Sequence, residues 1–121
     1  MVEDTLASRQ YLIFMLKKLQ IKVVAAASGE EALSLMENQT VDGMLLDIAL
    51  GPGISGDELM LKFRQDPRFE TIPIIAVTAS WEDVLKKLVE IGFDDYLEKP
   101  YTFEQLCAIL EKYHLVNPKA E

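Results

Sequence analysis

The chain has little of what disulfide frameworks, soft metal centres and membrane anchors require. It contains one cysteine, Cys107, and one histidine, His114, in 121 residues. A single cysteine excludes an internal disulfide and a multi-cysteine metal site, and a single histidine disfavours a histidine-based metal cluster. No apolar run approaches the roughly 18 residues of a membrane span, and no signal peptide is visible. We therefore expect a cytoplasmic protein that does not contact a membrane.

Basic side chains are also scarce. There are 12 Lys and Arg residues against 20 Asp and Glu residues, which gives a net charge of −8. Nucleic acids and anionic membranes are bound chiefly through Lys and Arg, so we predict no direct nucleic-acid partner. The acidic balance suits a cation site or a partner with a basic face. The length allows one well-buried core, and we expect residues 1–121 to form a single domain.

Helical and strand-like patterns alternate along the chain. The strand-like segments are apolar runs, rather than runs in which apolar and polar residues alternate, and they are bounded by turn residues. Such an arrangement predicts an α/β fold with a parallel sheet covered by helices on both faces, that is, a doubly wound fold. The predicted strands are Met1-Val2, Lys22–Ala26, Met44–Asp47, Ile74–Val77 and Tyr96-Leu97, and the predicted helices start near Ala7, Ser28, Gly56, Trp81 and Phe103.

Polar side chains stand at the carboxyl ends of four predicted strands. These side chains are Glu3-Asp4, Asp47, Thr78 and Lys99. Taken singly, each has an ordinary explanation, such as an acidic pair at a helix start, a cap or a solvated charge. Sites in open parallel sheets form outside the carboxyl ends of the strands, however. The coincidence at successive strand ends therefore favours a functional site over four unrelated caps and charges.

The residue types at this edge indicate phosphoryl chemistry. Three carboxylates that lie close together need a cation, and the absence of soft ligands favours a hard ion such as Mg²⁺. The Lys99 ammonium offsets further charge. A carboxylate beside a metal, a hydroxyl and an ammonium is arranged to accept a phosphoryl group, with Asp47 as the attacking nucleophile.

With these pieces in place, the chain resembles the receiver domain of two-component response regulators, of the chemotaxis-regulator type. The resemblance covers nearly the whole chain. It implies a flavodoxin-like, five-stranded parallel sheet in the order 2-1-3-4-5. The matching pieces are Glu3-Asp4, Ser28–Leu33, Leu45-Leu46-Asp47, Ile74–Ala79 and Asp95–Pro100.

The same resemblance implies roles for the acidic residues. Asp47 is expected to be the phosphoacceptor of a phosphorelay, taking the phosphoryl group from a sensor histidine kinase or a phosphotransfer protein. Mg²⁺ is the expected cofactor. Asp4 would bind it directly and Glu3 through water, with Asp47 and the backbone carbonyl of Ala49 completing the protein ligands. The protein is not expected to be an enzyme beyond its own phosphorylation and dephosphorylation.

The remaining family positions concern signalling. Thr78 and Lys99 are expected to contact the phosphoryl group, and the Lys99–Pro100 peptide bond is expected to be cis. Tyr96 occupies the place of the aromatic switch, which turns inward as Thr78 moves toward the phosphate. The downstream protein target is expected to bind the face formed by the fourth helix, fifth strand and fifth helix.

Two features depart from the family pattern. The loop Leu50–Gly56 carries one extra residue and two extra glycines, which permit a different backbone path. The first strand, central in this fold, is truncated to Met1-Val2, and its absence would leave neighbouring strands with unpaired backbone groups. We expect the rest of this strand to come from residues upstream of Met1 or, failing that, from another chain.

Two alternatives belong to other functional classes. A pseudo-receiver would keep the fold as a protein-binding module without phosphorylation, but the intact set of Asp4, Asp47, Thr78 and Lys99 argues against it. A small Mg²⁺-dependent phosphohydrolase of similar topology would need a further catalytic acid near Asp47, and Ala49 occupies that position.

Overall fold

The computed structural model describes residues 1–48, 53–79 and 82–116, without the side chains of residues 82–85. Within these ranges the structure has five helices and three strands, whereas the sequence pattern predicts five strands; the two that are not formed as strands are the first two in the chain. The helices are α1 (Leu6–Lys18), α2 (Gly29–Leu35), α3 (Gly56–Arg64), α4 (Glu82–Ile91) and α5 (Phe103–Lys112), and the strands are β1 (Met44–Asp47), β2 (Ile74–Thr78) and β3 (Asp95–Glu98).

The three strands form a parallel sheet in the order β1-β2-β3. Every residue of β1 and β2 is buried, which is why their sequences are continuous apolar runs. Side chains that point to one face pack against α1 and α5, and those that point to the other face pack against α2, α3 and α4. The doubly wound α/β architecture is therefore confirmed.

A remnant of the expected first strand lies beside β1. Val2 forms parallel bridges to Ala26 on one side and to Leu46 on the other. Its N–H donates to the Leu45 carbonyl at 2.8 Å, and the Asp47 N–H donates to the Val2 carbonyl at 3.0 Å. This places the chain start between Ala26 and β1, in agreement with the first three positions of the order 2-1-3-4-5.

The second strand that the sequence predicts is formed only in part. Of the segment Lys22–Ala26, only Ala26 forms a bridge, and residues 22–25 have no strand assignment. A strand is defined by its pairing, and the neighbour that should pair with this segment is only two residues long. The Met1 amine lies in the same region. It donates to the Val24 carbonyl at 2.8 Å, and burial lowers the pKa of this amine to about 6.

Candidate functional site

The strand ends come together at one edge of the sheet. The register pairs Asp47 of β1 with Val77 of β2, and Thr78 of β2 with Glu98 of β3, so the three strands end at nearly the same level. Lys99 follows Glu98, and its N–H donates to the Thr78 carbonyl at 2.7 Å. The Lys99–Pro100 peptide bond is cis. The chain leaving β3 is thus hydrogen-bonded to the end of β2.

One ammonium group bridges two buried carboxylates at this edge. Lys99 Nζ donates to Glu3 Oε2 at 2.7 Å and to Asp47 Oδ2 at 3.0 Å. Glu3 is 3% exposed and Asp47 is 4% exposed. A buried carboxylate requires a charged or hydrogen-bonding partner, and here two carboxylates share one cation. The site is therefore short of positive charge.

Burial and the shared hydrogen bonds shift the pKa values of Glu3 and Lys99. Burial raises the pKa of Glu3 and the nearby Asp47 carboxylate raises it further, while hydrogen bonds from Lys99 and from the Thr5 N–H oppose the change. Burial acts to lower the pKa of Lys99, but its bonds to Glu3 and Asp47 outweigh that effect and leave it raised. The lysine is thus held in its charged form, and Glu3 is biased toward losing its charge.

A third carboxylate completes an all-oxygen cluster. Glu3, Asp4 and Asp47 each place a carboxylate oxygen so that the three atoms lie within 4.8 Å of one another. Asp4 is exposed, whereas its two neighbours are buried, so an ion from solvent can reach the cluster. Hard divalent cations such as Mg²⁺ prefer this ligand set. The donor set therefore fits a hard cation. The expected fourth ligand, Ala49, lies outside the described residues.

Arg9 supports the acidic pair, and sequence reasoning missed it. Its Nη1 donates to the Glu3 carbonyl at 2.9 Å and to the Asp4 carbonyl at 3.4 Å. The guanidinium thus ties the backbone of both acids to the first turn of α1. The only available signal was an arginine five and six residues after the pair, which is too common a spacing to be informative.

Thr78 and Tyr96 occupy different environments. Thr78 is buried at the end of β2, while Tyr96 on β3 is 37% exposed. In the register Tyr96 pairs with Ala76, two residues before Thr78. The two candidate switch residues therefore lie on adjacent strands, with the tyrosine ring partly in solvent.

The chain that returns from the site to α3 passes very close to β1. A Cβ atom on Gly56 would overlap the Asp47 carbonyl and the Ile48 Cα, and the Gly56 N–H donates to the Ile48 carbonyl at 3.3 Å. The Glu30 carboxylate of α2 accepts from the Ile54 N–H at 2.9 Å. Glycine at position 56 and the Glu30 contact therefore position the described end of the loop after Asp47.

This fold and site define a receiver domain. A family model for the response regulator receiver domain matches residues 1–111. The chain belongs to that family, whose members act in two-component signal transduction. None of the helices in the described ranges is long and apolar enough to cross a membrane.

The chain is similar to curated proteins over most of its length. The chain is 36% identical over 118 residues to an uncharacterised 14.6 kDa protein of Leptolyngbya boryana, covering 97% of this chain and 89% of that protein. It is 39% identical over 101 residues to the transcriptional regulatory protein AfsQ1 of Streptomyces coelicolor, covering 83% of this chain and 43% of that protein. The chain thus spans less than half the length of that regulator.

Solved structures show the same fold. The receiver domain of the sensor histidine kinase PA1611 from Pseudomonas aeruginosa has a TM-score of 0.84 at 30% identity, and the match covers 93% of this chain and 92% of that one. That structure has a magnesium ion coordinated in its active-site cleft. The chemotaxis response regulator CheY4 of Vibrio cholerae has a TM-score of 0.85 at 26% identity, with 93% of each chain covered.

Proposed function

We propose that residues 1–121 form a single receiver domain that accepts a phosphoryl group on Asp47, with Mg²⁺, from a sensor histidine kinase or phosphotransfer protein. One observation carries this proposal. A buried carboxylate at the end of β1 lies 3.0 Å from the Lys99 ammonium and within 4.8 Å of the carboxylates of Glu3 and Asp4. A turn or helix-cap aspartate needs neither the ammonium nor the two further acids.

Among the three acids, Asp47 is the best placed nucleophile. Both carboxylate oxygens of Glu3 accept hydrogen bonds, from Lys99 and from the Thr5 N–H, and Asp4 lies in solvent, whereas Asp47 ends β1 at the edge of the sheet where Thr78 and Lys99 also lie. In the proposed step an Asp47 carboxylate oxygen attacks the phosphorus of a phosphohistidine, the P–N bond breaks, and the imidazole leaves with the bonding electron pair. The product is an acyl phosphate on residue 47. Lys99 and the Thr78 hydroxyl then bind oxygens of the transferred phosphoryl group.

Glu3, Asp4, Asp47 and the Ala49 carbonyl would hold the Mg²⁺ ion. When bound, the ion supplies positive charge that offsets the carboxylates and the incoming phosphoryl oxygens. The shortage of positive charge around Lys99 supports this requirement, because one ammonium cannot neutralise three acids. The magnesium ion in the PA1611 receiver domain supports it independently.

The signal would leave through protein contacts. The proposed switch couples Thr78 to Tyr96, whose ring turns inward as the threonine moves toward the phosphoryl group. The corresponding face in this structure is formed by α4, β3 and α5. Large apolar side chains are exposed there, including Val89, Ile91 and Tyr96, which suits a protein partner.

The experiment is to incubate the protein with Mg²⁺ and acetyl phosphate and to measure its intact mass. We expect one added phosphoryl group, which should be absent in Asp47→Asn and in the presence of EDTA. The Asp95→Asn variant is a matched control, because it removes a carboxylate from β3 away from the site and should still be phosphorylated. Folding of each variant is checked by circular dichroism.

Two outcomes would contradict the proposal. No adduct on a folded protein would favour a pseudo-receiver, which binds partners without phosphorylation. Steady release of inorganic phosphate over many turnovers would favour a phosphohydrolase instead.

A further inference from the structure

The first turn of α2 holds the described end of the loop that follows Asp47. The Glu30 carboxylate accepts from the Ile54 N–H at 2.9 Å, and this bond is the main reason that the pKa of Glu30 is lowered. The Ile54 side chain lies so close to Gly29 that a Cβ atom on the glycine would overlap it. Gly29 and Glu30, which we call the Ile54 seat, thus fix both the backbone and the side chain of one loop residue.

Two glycines make this close approach possible. Gly29 is buried at the start of α2 and has no side chain to displace Ile54. Gly53 has a φ of 109°, which residues with a side chain rarely adopt, and a Cβ atom there would overlap the Glu30 carboxylate. Gly53 is also one of the two extra glycines by which this loop departs from the family pattern. The departure therefore lets the longer loop contact α2.

The Ile54 seat is close to the point where the chain touches the acceptor strand. A Cβ atom on Gly56 would overlap the Asp47 carbonyl, and the Gly56 N–H donates to the Ile48 carbonyl at 3.3 Å. Only Ser55, the N-cap of α3, separates Ile54 from Gly56. Closely packed atoms transmit displacement instead of absorbing it. A shift of Ile54 is therefore passed to the backbone of Asp47.

We propose that Gly29 and Glu30 are positioning residues for the acceptor site. By seating Ile54 they hold Gly56 against the backbone of Asp47, and in this way they set the affinity of the carboxylate cluster for Mg²⁺. Because the cluster must bind the ion for its affinity to be set, this positioning role rests on the proposed function. Coupling between two sites is reciprocal, so Mg²⁺ should in turn strengthen the contact between Ile54 and α2.

The first test compares Glu30→Ala with Glu31→Ala. Glu31 is a matched control, because its carboxylate accepts from the Ala27 N–H at 3.1 Å and so belongs to the cap of α2 and not to the loop. We expect Glu30→Ala to weaken Mg²⁺ binding by about threefold to tenfold in a calorimetric titration, and Glu31→Ala to change it by less than about twofold. Glu30→Gln keeps an oxygen acceptor and should restore most of the affinity.

Amide exchange gives a readout that does not depend on the ion. Without Mg²⁺, exchange at Ile54 and Gly56 should be faster in Glu30→Ala than in wild type, and Glu31→Ala should leave it unchanged. In wild type, addition of Mg²⁺ should slow exchange at Ile54, as reciprocal coupling requires.

A second test uses the close approach of Ile54 to Gly29. Gly29→Ala places a methyl group where the Ile54 side chain lies, so it should weaken Mg²⁺ binding by about threefold or more. In an Ile54→Ala background the same substitution meets no such side chain and should have an effect of less than about twofold. A merely structural role for Gly29 would give the same change in both backgrounds.

Two failures are distinguishable. Wild-type protein that binds Mg²⁺ with the same affinity as folded Glu30→Ala and Gly29→Ala would overturn the positioning role and leave the proposed function intact. Unchanged exchange at Gly56 in Glu30→Ala would also overturn it, because the Ile54 seat would then not reach β1. Wild-type protein that binds no Mg²⁺ would overturn the proposed function and the positioning role together.

Discussion

Replacing Lys99 with methionine should destabilise the protein in a strongly pH-dependent way. The substitution keeps most of the side-chain stem and removes the ammonium that bridges Glu3 and Asp47. Two carboxylates, both almost fully buried, would then face each other without the bridging lysine charge. Removing one partner from a buried ion pair costs more than the pair itself contributes, because it leaves an uncompensated charge.

The loss of stability has an upper bound, because one of the two carboxylates can bind a proton and so lose its charge. The ordinary pKa of Glu3 is 4.5, which is 2.5 pH units below pH 7. At about 1.36 kcal/mol per unit, protonating one carboxylate at pH 7 costs at most about 3.4 kcal/mol. Lys99 is partly exposed and Glu3 already has a raised pKa, so we expect a loss of about 2–3 kcal/mol at pH 7.

The sign of the pH dependence follows from the raised pKa. A carboxylate whose pKa is higher in the folded state binds more protons there, so stability falls as pH rises above its ordinary value. Removing Lys99 enlarges this effect. At pH 5 the cost of protonation falls to about 0.7 kcal/mol at most, and the variant should lie within about 1 kcal/mol of the wild type.

Urea unfolding followed by circular dichroism, with EDTA present, measures the difference in stability between Lys99→Met and wild type at pH 7 and at pH 5. Lys112→Met is the matched control. It removes an exposed ammonium that pairs with Asp95 at 2.9 Å, and it should change the free energy of unfolding far less than Lys99→Met does at pH 7, because solvent screens an exposed pair. An equal loss of stability for Lys99→Met at both pH values, or no loss at pH 7, would refute the reasoning, because a loss caused by buried charge must be present at pH 7 and smaller at pH 5.

Three further predictions concern residues around the site and on β3. Arg9→Met should lower stability by about 1–2 kcal/mol and weaken Mg²⁺ binding severalfold in a titration, because the backbone of the acidic pair loses its guanidinium contact. Gly56→Ala should cost about 1–3 kcal/mol in urea unfolding, because its Cβ meets the backbone of Asp47 and Ile48, which cannot yield as a flexible side chain would. Burial acts to raise the pKa of Asp95, but hydrogen bonds from Lys112, Tyr96 N–H and Tyr113 lower it on balance. Its contribution to stability should therefore be complete above pH 3.8 and be lost as pH falls through the lowered pKa. The difference in the free energy of unfolding between wild type and Asp95→Asn should accordingly narrow only in acid.

The sequence was informative where the physical constraint is local. Continuous apolar runs predicted β1 and β2 because strands buried on both faces need apolar side chains throughout. The positions of Asp47, Thr78 and Lys99 followed from the rule that the carboxyl ends of parallel strands meet at one edge. The ion pair between Lys99 and Asp47 and the hydrogen bond from the Lys99 N–H to the Thr78 carbonyl show that the three residues lie together.

Features that depend on distant partners could not be predicted. The segment Lys22–Ala26 has the composition of a strand but pairs only at Ala26, because pairing depends on a neighbour and not on the segment itself. The bridging of Glu3 and Asp47 by one ammonium depends on the direction of a long side chain. The contact of Arg9 with two carbonyls depends on how α1 leaves the first strand, which no spacing in the sequence reveals.

The central claim is that the Asp47 carboxylate becomes an acyl phosphate, and borohydride trapping tests it most directly. Borohydride reduces an acyl phosphate on aspartate to homoserine, and peptide mass spectrometry then locates the modified residue. After treatment with Mg²⁺ and acetyl phosphate we predict homoserine at residue 47 and at no other aspartate. Homoserine at Asp4 in its place, or an unmodified residue 47 in a folded protein, would contradict the account.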